Sequence, residues 1–180
     1  MYLRKINAGL SLLTTLLFLD HAIFLSVWML SRCSIEKSAD NMPFIFLAVT
    51  VVHAVLSILL MVLGYNGAEK CSCRTYPKLN IPTYVQRITG ILMALLFGLH
   101  LAGAANHFQP KMLHAVLHPL FFALCLAHIA VSVSKSLITL GIGNARVVRV
   151  VDIIMRLLCI AIFAASVIGF YMCLFLGVAR

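Results

Sequence analysis

Residues 43–65 read PFIFLAVTVVHAVLSILLMVLGY, an apolar run with no charged side chain and one histidine, His53, near its centre. A helix needs about 20 apolar residues, at roughly 1.5 Å of rise each, to cross about 30 Å of hydrocarbon. The run meets this length, and a charged residue never interrupts it. The stretch therefore predicts a transmembrane helix.

The chain contains four more apolar stretches of similar length, one before this run and three after it. Of its 180 residues, 63% are hydrophobic and 11% are charged, whereas a soluble domain is nearer half apolar and a quarter charged. Mean hydropathy is +1.07. The loops are short, which makes successive helices antiparallel neighbours in a bundle. We predict an all-α polytopic membrane protein with a single membrane domain, residues 1–180, whose five transmembrane helices form a bundle; the spans are about residues 8–31, 43–65, 83–105, 111–140 and 148–178.

Lysine and arginine residues are distributed unevenly between the two sides of these spans. The positive-inside rule then predicts a multi-pass protein of the cell's inner (cytoplasmic) membrane with its amino terminus inside. The net charge of +9 reflects this topology. The sequence has no nucleic-acid-binding motif and no basic stretch interleaved with aromatic residues, so nucleic-acid binding is not predicted. The residues predicted inside are Arg4, Lys5, Lys70, Arg74, Lys78, Arg87, Lys135, Arg146 and Arg149, and those predicted outside are Arg32, Lys37, Lys111 and Arg180.

The first four predicted spans each contain a histidine: His21, His53, His100 and His128. An ionisable side chain at hydrocarbon depth costs a few kcal/mol, so its presence indicates function. One isolated histidine would more often hydrogen-bond a neighbouring helix. One in each of four consecutive spans instead favours haem, because two imidazoles from facing helices complete the coordination of six-coordinate haem iron.

The depths of these histidines suggest how they pair. His21 and His100 lie about 15 and 8 Å from the outer ends of their spans, whereas His53 and His128 lie about 15 and 10 Å from the inner side. These depths predict the axial ligands of an outer haem b, His21 with His100, and of an inner haem b, His53 with His128. Other pairings stay open at this precision.

Several charged residues in or near the spans are candidates to serve these cofactors. Haem propionates need cationic partners, and Lys135 is two turns from His128 on nearly the same helix face. Arg149 and Arg156 share a face with Asp152 near the inner end of the fifth span; they are either further propionate partners, or Asp152 and Arg156 pair with each other. Asp20, beside His21, either carries protons for quinone chemistry or accepts a hydrogen bond in the bundle.

Other polar residues have less defined roles. His114 and His118 are four residues apart near the outer end of the fourth span, with His107 close by in the loop, and they indicate polar packing or else a quinone or metal contact. Cys71 and Cys73 lie in a loop on the reducing inner side, where a disulfide is not expected, and their Cys-Ser-Cys sequence offers few metal ligands.

Two stretches resemble a known family. Residues 83–90, TYVQRITG, followed by an apolar span, resemble the His-Arg-(Ile/Val)-(Ser/Thr)-Gly signature of the membrane cytochrome b subunits of succinate dehydrogenase and fumarate reductase. Residues 128–141, HIAVSVSKSLITLG, look like the haem-ligand helix of that family. The resemblance is clearest over residues 83–141, and the five-span layout extends it to the whole chain. Gln86 stands where the signature has histidine, and no span carries a glutamate.

The single-chain, five-span, two-haem branch of that family implies a specific function. It implies the pairs His21 with His100 and His53 with His128, a quinone that is often menaquinone as substrate, and Thr83 and Arg87 at the quinone site. It also implies a flavoprotein subunit and an iron–sulfur subunit on the inner face. The chain is then the electron-transfer anchor of a succinate:quinone oxidoreductase or a quinol:fumarate reductase, with the dicarboxylate site on another chain.

Two other functions stay open. The first is a cytochrome b anchor of another dehydrogenase or reductase, since the ligand layout does not distinguish these enzymes. The second is a haem-free membrane transporter or assembly protein whose histidines hydrogen-bond between helices. The sequence shows no broken-helix pair or inverted repeat typical of transporters.

Overall fold

A computed structural model describes residues 2–31, 42–63, 77–106 and 111–176 of the chain, and over these ranges the fold is all-helical. Each predicted span corresponds to one helix, and the described residues contain no strand. The helices are α1 (Tyr2–Leu30), α2 (Met42–Val62), α3 (Pro77–Asn106), α4 (Lys111–Leu140) and α5 (Ala145–Leu176).

Within the described residues, four of the five helices have the length and composition of membrane spans. Candidate spans are Tyr2–Trp28 in α1, Phe44–Val62 in α2, Pro119–Leu140 in α4 and Ala145–Met172 in α5, and α3 contains a shorter apolar helix, Thr83–Leu99. The prediction of an all-α chain with long apolar helices is confirmed, and the chain is a multi-span membrane protein.

The helix ends differ from the predicted spans where polar residues continue a helix beyond its apolar part. Helix α4 has the predicted bounds. Helix α1 begins at Tyr2 and α3 at Pro77, each six residues earlier than predicted. Proline fits the first turn of a helix because the missing N–H would have no partner there. Pro119 lies inside α4, where neighbouring helices make such a break tolerable within a membrane.

The connection between α4 and α5 is a defined turn. Gly141 has a φ of 103°, a left-handed conformation that favours glycine. Its N–H donates to the carbonyl of Ile138, and the N–H of Ile142 donates to that of Leu137, which together end α4 in a Schellman motif. Asn144 then caps α5, because its Oδ1 accepts hydrogen bonds from the N–H groups of Arg146 and Val147. The turn lies between the fourth and fifth predicted spans, residues 111–140 and 148–178.

The helix contacts define a compact centre with two flanking helices. Helices α1, α4 and α5 contact one another, α2 packs on α1, and α3 packs on α4. The buried apolar core lies in the three-helix centre and consists of Phe18, Leu19, Ala22, Phe122, Cys125, Leu126, Ile129, Val133, Cys159 and Ile162. Helices α1 to α4 therefore follow the spatial order α2, α1, α4, α3. Among the described residues, α1 makes no close backbone contact with α3, and α2 makes none with α4.

Candidate functional site

His53 is the first polar centre of the site. Its imidazole lies near the backbone of Asn7 on α1. One turn further along α2, the Ser57 hydroxyl donates to the Asn7 side-chain oxygen at 3.2 Å. Asn7 thus fixes α2 to α1 at this level. The Nδ1 atom of His53 is buried and has no hydrogen-bond partner within the described part of the chain.

His128 is held by α3. Its Nδ1 lies 3.1 Å from the hydroxyl oxygen of Thr89. Thr89 has a single proton, which it donates to the backbone carbonyl of Val85 at 2.7 Å, so its oxygen is left to accept from Nδ1 of His128. That arrangement places the His128 proton on Nδ1 and leaves a free lone pair on Nε2. Hydrogen bonding of one ring nitrogen in this way selects the tautomer that can ligate a metal through the other.

The two histidines are close to each other although they lie on different, non-adjacent helices. His53 on α2 and His128 on α4 are near enough for an electrostatic interaction between their rings. Gly90 on α3 lies against His128, where an added Cβ atom would be 3.2 Å from Cε1 of the ring. The Thr89-Gly90 pair therefore supplies both a hydrogen bond and a close approach to the same imidazole.

Lys135 forms a second polar centre where the start of α3 meets the end of α4. Its ammonium group donates to the hydroxyl of Thr83 at 3.0 Å and to Oε1 of Gln86 at 3.1 Å. Arg87 is near enough to interact electrostatically with it. The structure thus brings together three residues that the sequence analysis singled out separately, Thr83, Arg87 and Lys135. Together with Gln86 they form what we name the Lys135 cluster.

The charged residues of α5 have partners of their own. Arg156 makes a 2.7 Å ion pair with Asp152, and Ser134 on α4 donates to the other oxygen of Asp152 at 2.9 Å. The side chain of Arg156 is 63% exposed, and Arg149 is also exposed. The pairing of Asp152 with Arg156, one of the two arrangements that the sequence left open, is therefore present. The roles of Arg149 and Arg156 as propionate partners stay predictions.

At the level of His21 the packing is aromatic. The His21 ring stacks on Phe46 of α2, with 6.1 Å between centroids, and Phe18 contacts both Phe46 and Phe122. Asp20, the residue before His21, lies on the exposed side of α1. It accepts no hydrogen bond from the described residues, and its role as a proton carrier for quinone chemistry stays a prediction.

Several predicted residues lie outside the described part of the structure. The backbone of His100 belongs to α3, but its side chain is not described, so the pair His21 with His100 stays a prediction. The same holds for the side chains of His114 and His118, and for His107, Cys71 and Cys73 as whole residues. Over the described ranges, no three histidine, cysteine or acidic residues cluster as metal ligands.

Sequence reasoning predicted no contact for Asn7, Gln86, Thr89 and Gly90. Thr89 and Gly90 lie against His128, Gln86 accepts a hydrogen bond from Lys135, and Asn7 accepts one from Ser57. Three of the four lie at residues 83–90, the stretch that carries the family resemblance, although their contacts were not readable from it. No family model, curated protein or solved structure matches the chain. The resemblance to the succinate dehydrogenase and fumarate reductase anchors therefore stays a prediction.

Proposed function

We propose that this chain is a two-haem cytochrome b that anchors an oxidoreductase in the inner membrane and relays electrons between a membrane quinone and soluble partner subunits. The enzyme that the sequence motifs favour is a succinate:quinone oxidoreductase or a quinol:fumarate reductase. The observation that carries the proposal is the approach of His53 and His128 from two helices whose described residues make no close backbone contact with each other.

The donor set of this pair fits a haem. Nδ1 of His53 is buried and has no partner among the described residues, and Nε2 of His128 keeps its lone pair because Nδ1 donates to Thr89. Two neutral imidazoles are a common axial set for haem iron in membrane cytochromes b. Haem iron would supply reversible one-electron transfer. The chain's own contribution is to orient the rings, through Asn7 on one side and Thr89 with Gly90 on the other.

The helix order supports a second pair. In the order α2, α1, α4, α3, the helices of each predicted pair are separated by one other helix, α1 from α3 and α2 from α4. Imidazoles that grip a macrocycle between them need such a separation, because directly packed helices leave no room for it. His21 with His100 would hold the outer haem.

The Lys135 cluster supports the remaining parts of the proposal. Lys135 lies two turns from His128 toward the end of α4, and its ammonium is the nearest described cation on that helix face to the His53–His128 pair. It would neutralise a propionate of the inner haem. Thr83 and Arg87, in the same cluster, would hydrogen-bond a carbonyl oxygen of the quinone. Menaquinone is the quinone to test first, because the family resemblance implies it. Arg149 and Arg156 would serve the other propionates.

The same end of the molecule would face the partner subunits. The positive-inside rule places the start of α3 and the end of α4 on the inner side of the membrane. Arg146 and Arg149 are exposed at the adjoining start of α5 and give that side a positive surface. An iron–sulfur subunit with an acidic face, carrying a flavoprotein with the dicarboxylate site, would dock there.

Haem stoichiometry tests the proposal. Purified protein, expressed with ample haem, is expected to show a reduced b-type spectrum and two haems per chain. His53→Ala and His128→Ala should each lose one haem, and the double variant should lose no more than either, whereas His100→Ala should lose the other. His118→Ala, a histidine not assigned to either pair, is the matched control. Retention of two haems by all of these variants would refute the assignment.

One observation also suits a haem-free protein. The bond between Thr89 and His128 is of the kind that a histidine makes when it only ties two helices together. A colourless preparation, obtained despite ample haem, would favour that function. If haem is present, co-purification of a flavoprotein and an iron–sulfur protein, with or without dicarboxylate activity, would separate the favoured enzyme from another dehydrogenase or reductase.

A further inference from the structure

Asp20 is an acidic residue inside a membrane span, and no partner for it lies among the residues that the structure describes. It is exposed, about 27 Å along α1 from Tyr2 and within the candidate span Tyr2–Trp28. A polar group at such depth is costly when only lipid surrounds it. A second chain that packs on this side of α1 could supply the missing partner.

The residues around Asp20 form a continuous exposed face of α1. Leu13, Leu16, Ile23 and Val27 are all large, apolar and exposed, and with Asp20 they recur at alternating intervals of three and four residues. Such spacing keeps all of them on one side of a helix and is the pattern of a helix that packs along a second helix. We name these five residues the Asp20 face.

The bundle does not use this face. The opposite side of α1 carries buried residues, among them Ser11, Thr15 and Ala22, and α1 packs against α4 and α5. The side toward α2 is occupied by Asn7 and by the stacking of His21 on Phe46. None of the described residues therefore covers the Asp20 face, and a further helix can pack there without rearrangement of the five helices already present.

We propose that the Asp20 face is a dimer interface, where α1 of a second copy of this chain packs in parallel and the two Asp20 side chains hydrogen-bond each other. All copies insert with the same orientation, so a twofold axis normal to the membrane brings Asp20 opposite Asp20 at one depth. Two carboxyl groups that share a proton satisfy each other, and one polar residue in an apolar seam sets the register of the pair. This inference does not depend on haem binding.

Cysteine crosslinking in native membranes tests which face is covered. Leu16→Cys lies in the Asp20 face, and Leu157→Cys on α5 is its matched control. Their parent side chains are 65% and 63% exposed, and they lie about 21 and 18 Å from the starts of two helices that enter from the same side. Mild oxidation of the full-length chain should convert the Leu16→Cys variant to a species of twice the mass. The Leu157→Cys variant should stay at the level of the unsubstituted chain, which carries the same six native cysteines.

Substitution of Asp20 tests its role in the interface. Asp20→Ala should weaken self-association of the full-length chain in lipid vesicles by about three- to thirty-fold, measured by energy transfer between labelled copies. Asp20→Asn, whose amide both donates and accepts, should retain most of the association and shows that the fold tolerates the change. Equal crosslinking of the two cysteine variants would overturn the proposal. So would unchanged association of Asp20→Ala, or a Leu16→Cys crosslink to a different chain, which would assign the face to another subunit.

Discussion

Gly90 is the single residue that lets α3 approach the His128 ring. A Cβ at this position would lie 3.2 Å from Cε1 and 3.6 Å from Nδ1 of His128. The hydrogen bond between His128 and Thr89 restricts how far the ring can move away. Replacing glycine by alanine inside a helix normally raises the free energy of unfolding by about 0.5–1 kcal/mol. We expect Gly90→Ala to show no such increase, or to lower the free energy of unfolding.

Gly98, two turns further along α3, provides the control for that prediction. A Cβ there would meet no atom within 4 Å, so Gly98→Ala should be neutral or stabilising. Thermal unfolding of the two variants in the same detergent measures the difference. Equal stability of Gly90→Ala and Gly98→Ala would show that His128 is not confined by α3.

The histidines were predictable from the sequence, and their neighbours were not. An ionisable residue in an apolar run can be recognised from the sequence however the helices are arranged. His53 and His128 could therefore be singled out without a structure. Asn7 and Thr89 could not, because a small polar residue in a span has the same appearance whether it faces lipid, a helix or an imidazole. Only the packing of α2 on α1 and of α3 on α4 decides their roles.

At the scale of elements, Lys135 joins α4 to the first turns of α3. Lys135→Met removes its two hydrogen bonds, to Thr83 and Gln86, and should cost about 1–3 kcal/mol. Hydrogen exchange of the backbone amides of residues 83–90 should become faster as a result. Ile138→Met, at an exposed site on the same helix, should leave this exchange unchanged. Slow exchange in both variants would mean that other contacts hold the start of α3.

Ser26 and Ser166 join α1 to α5 by a buried hydrogen bond of 2.6 Å. Ser26 also donates to the carbonyl of Ala22, so Ser166 is the donor between the helices. A double-mutant cycle with Ser26→Ala and Ser166→Ala should give a coupling of about 0.6 kcal/mol, and at most about 1.7, as for other hydrogen bonds between membrane helices. Additive effects of the two substitutions would show that the bond contributes nothing to stability.

Helix existence was easier to predict than helix ends. Helix α4 has the predicted bounds because Lys111 and Gly141 interrupt the apolar pattern at both ends. The starts of α1 and α3 were predicted late because their first residues are polar or include proline. In the structure these residues continue α1 and α3 beyond the apolar part of each helix. Hydropathy alone does not predict such polar helix ends.

For the molecule as a whole, the number of membrane crossings depends on α3. Within the described residues, the apolar part of α3, Thr83–Leu99, is shorter than the apolar parts of the other four helices. The sequence continues with apolar residues as far as Ala105, apart from His100. If α3 spans the membrane, the chain before it and the chain after it lie on opposite sides. The excess of lysine and arginine then places the amino terminus and the α4–α5 turn inside and the carboxyl terminus outside.

Reporter fusions test this topology directly. An alkaline phosphatase domain, active only outside, should be inactive when fused after Tyr65 or Gly143 and active when fused after Gln109 or Arg180. A reporter active only inside should give the reverse pattern and serves as the control for expression. Equal signals after Tyr65 and Gln109 would mean that α3 does not cross, which would put Lys135 and Arg146 on the outer side. The docking surface proposed for the partner subunits would then lie on the wrong side of the membrane.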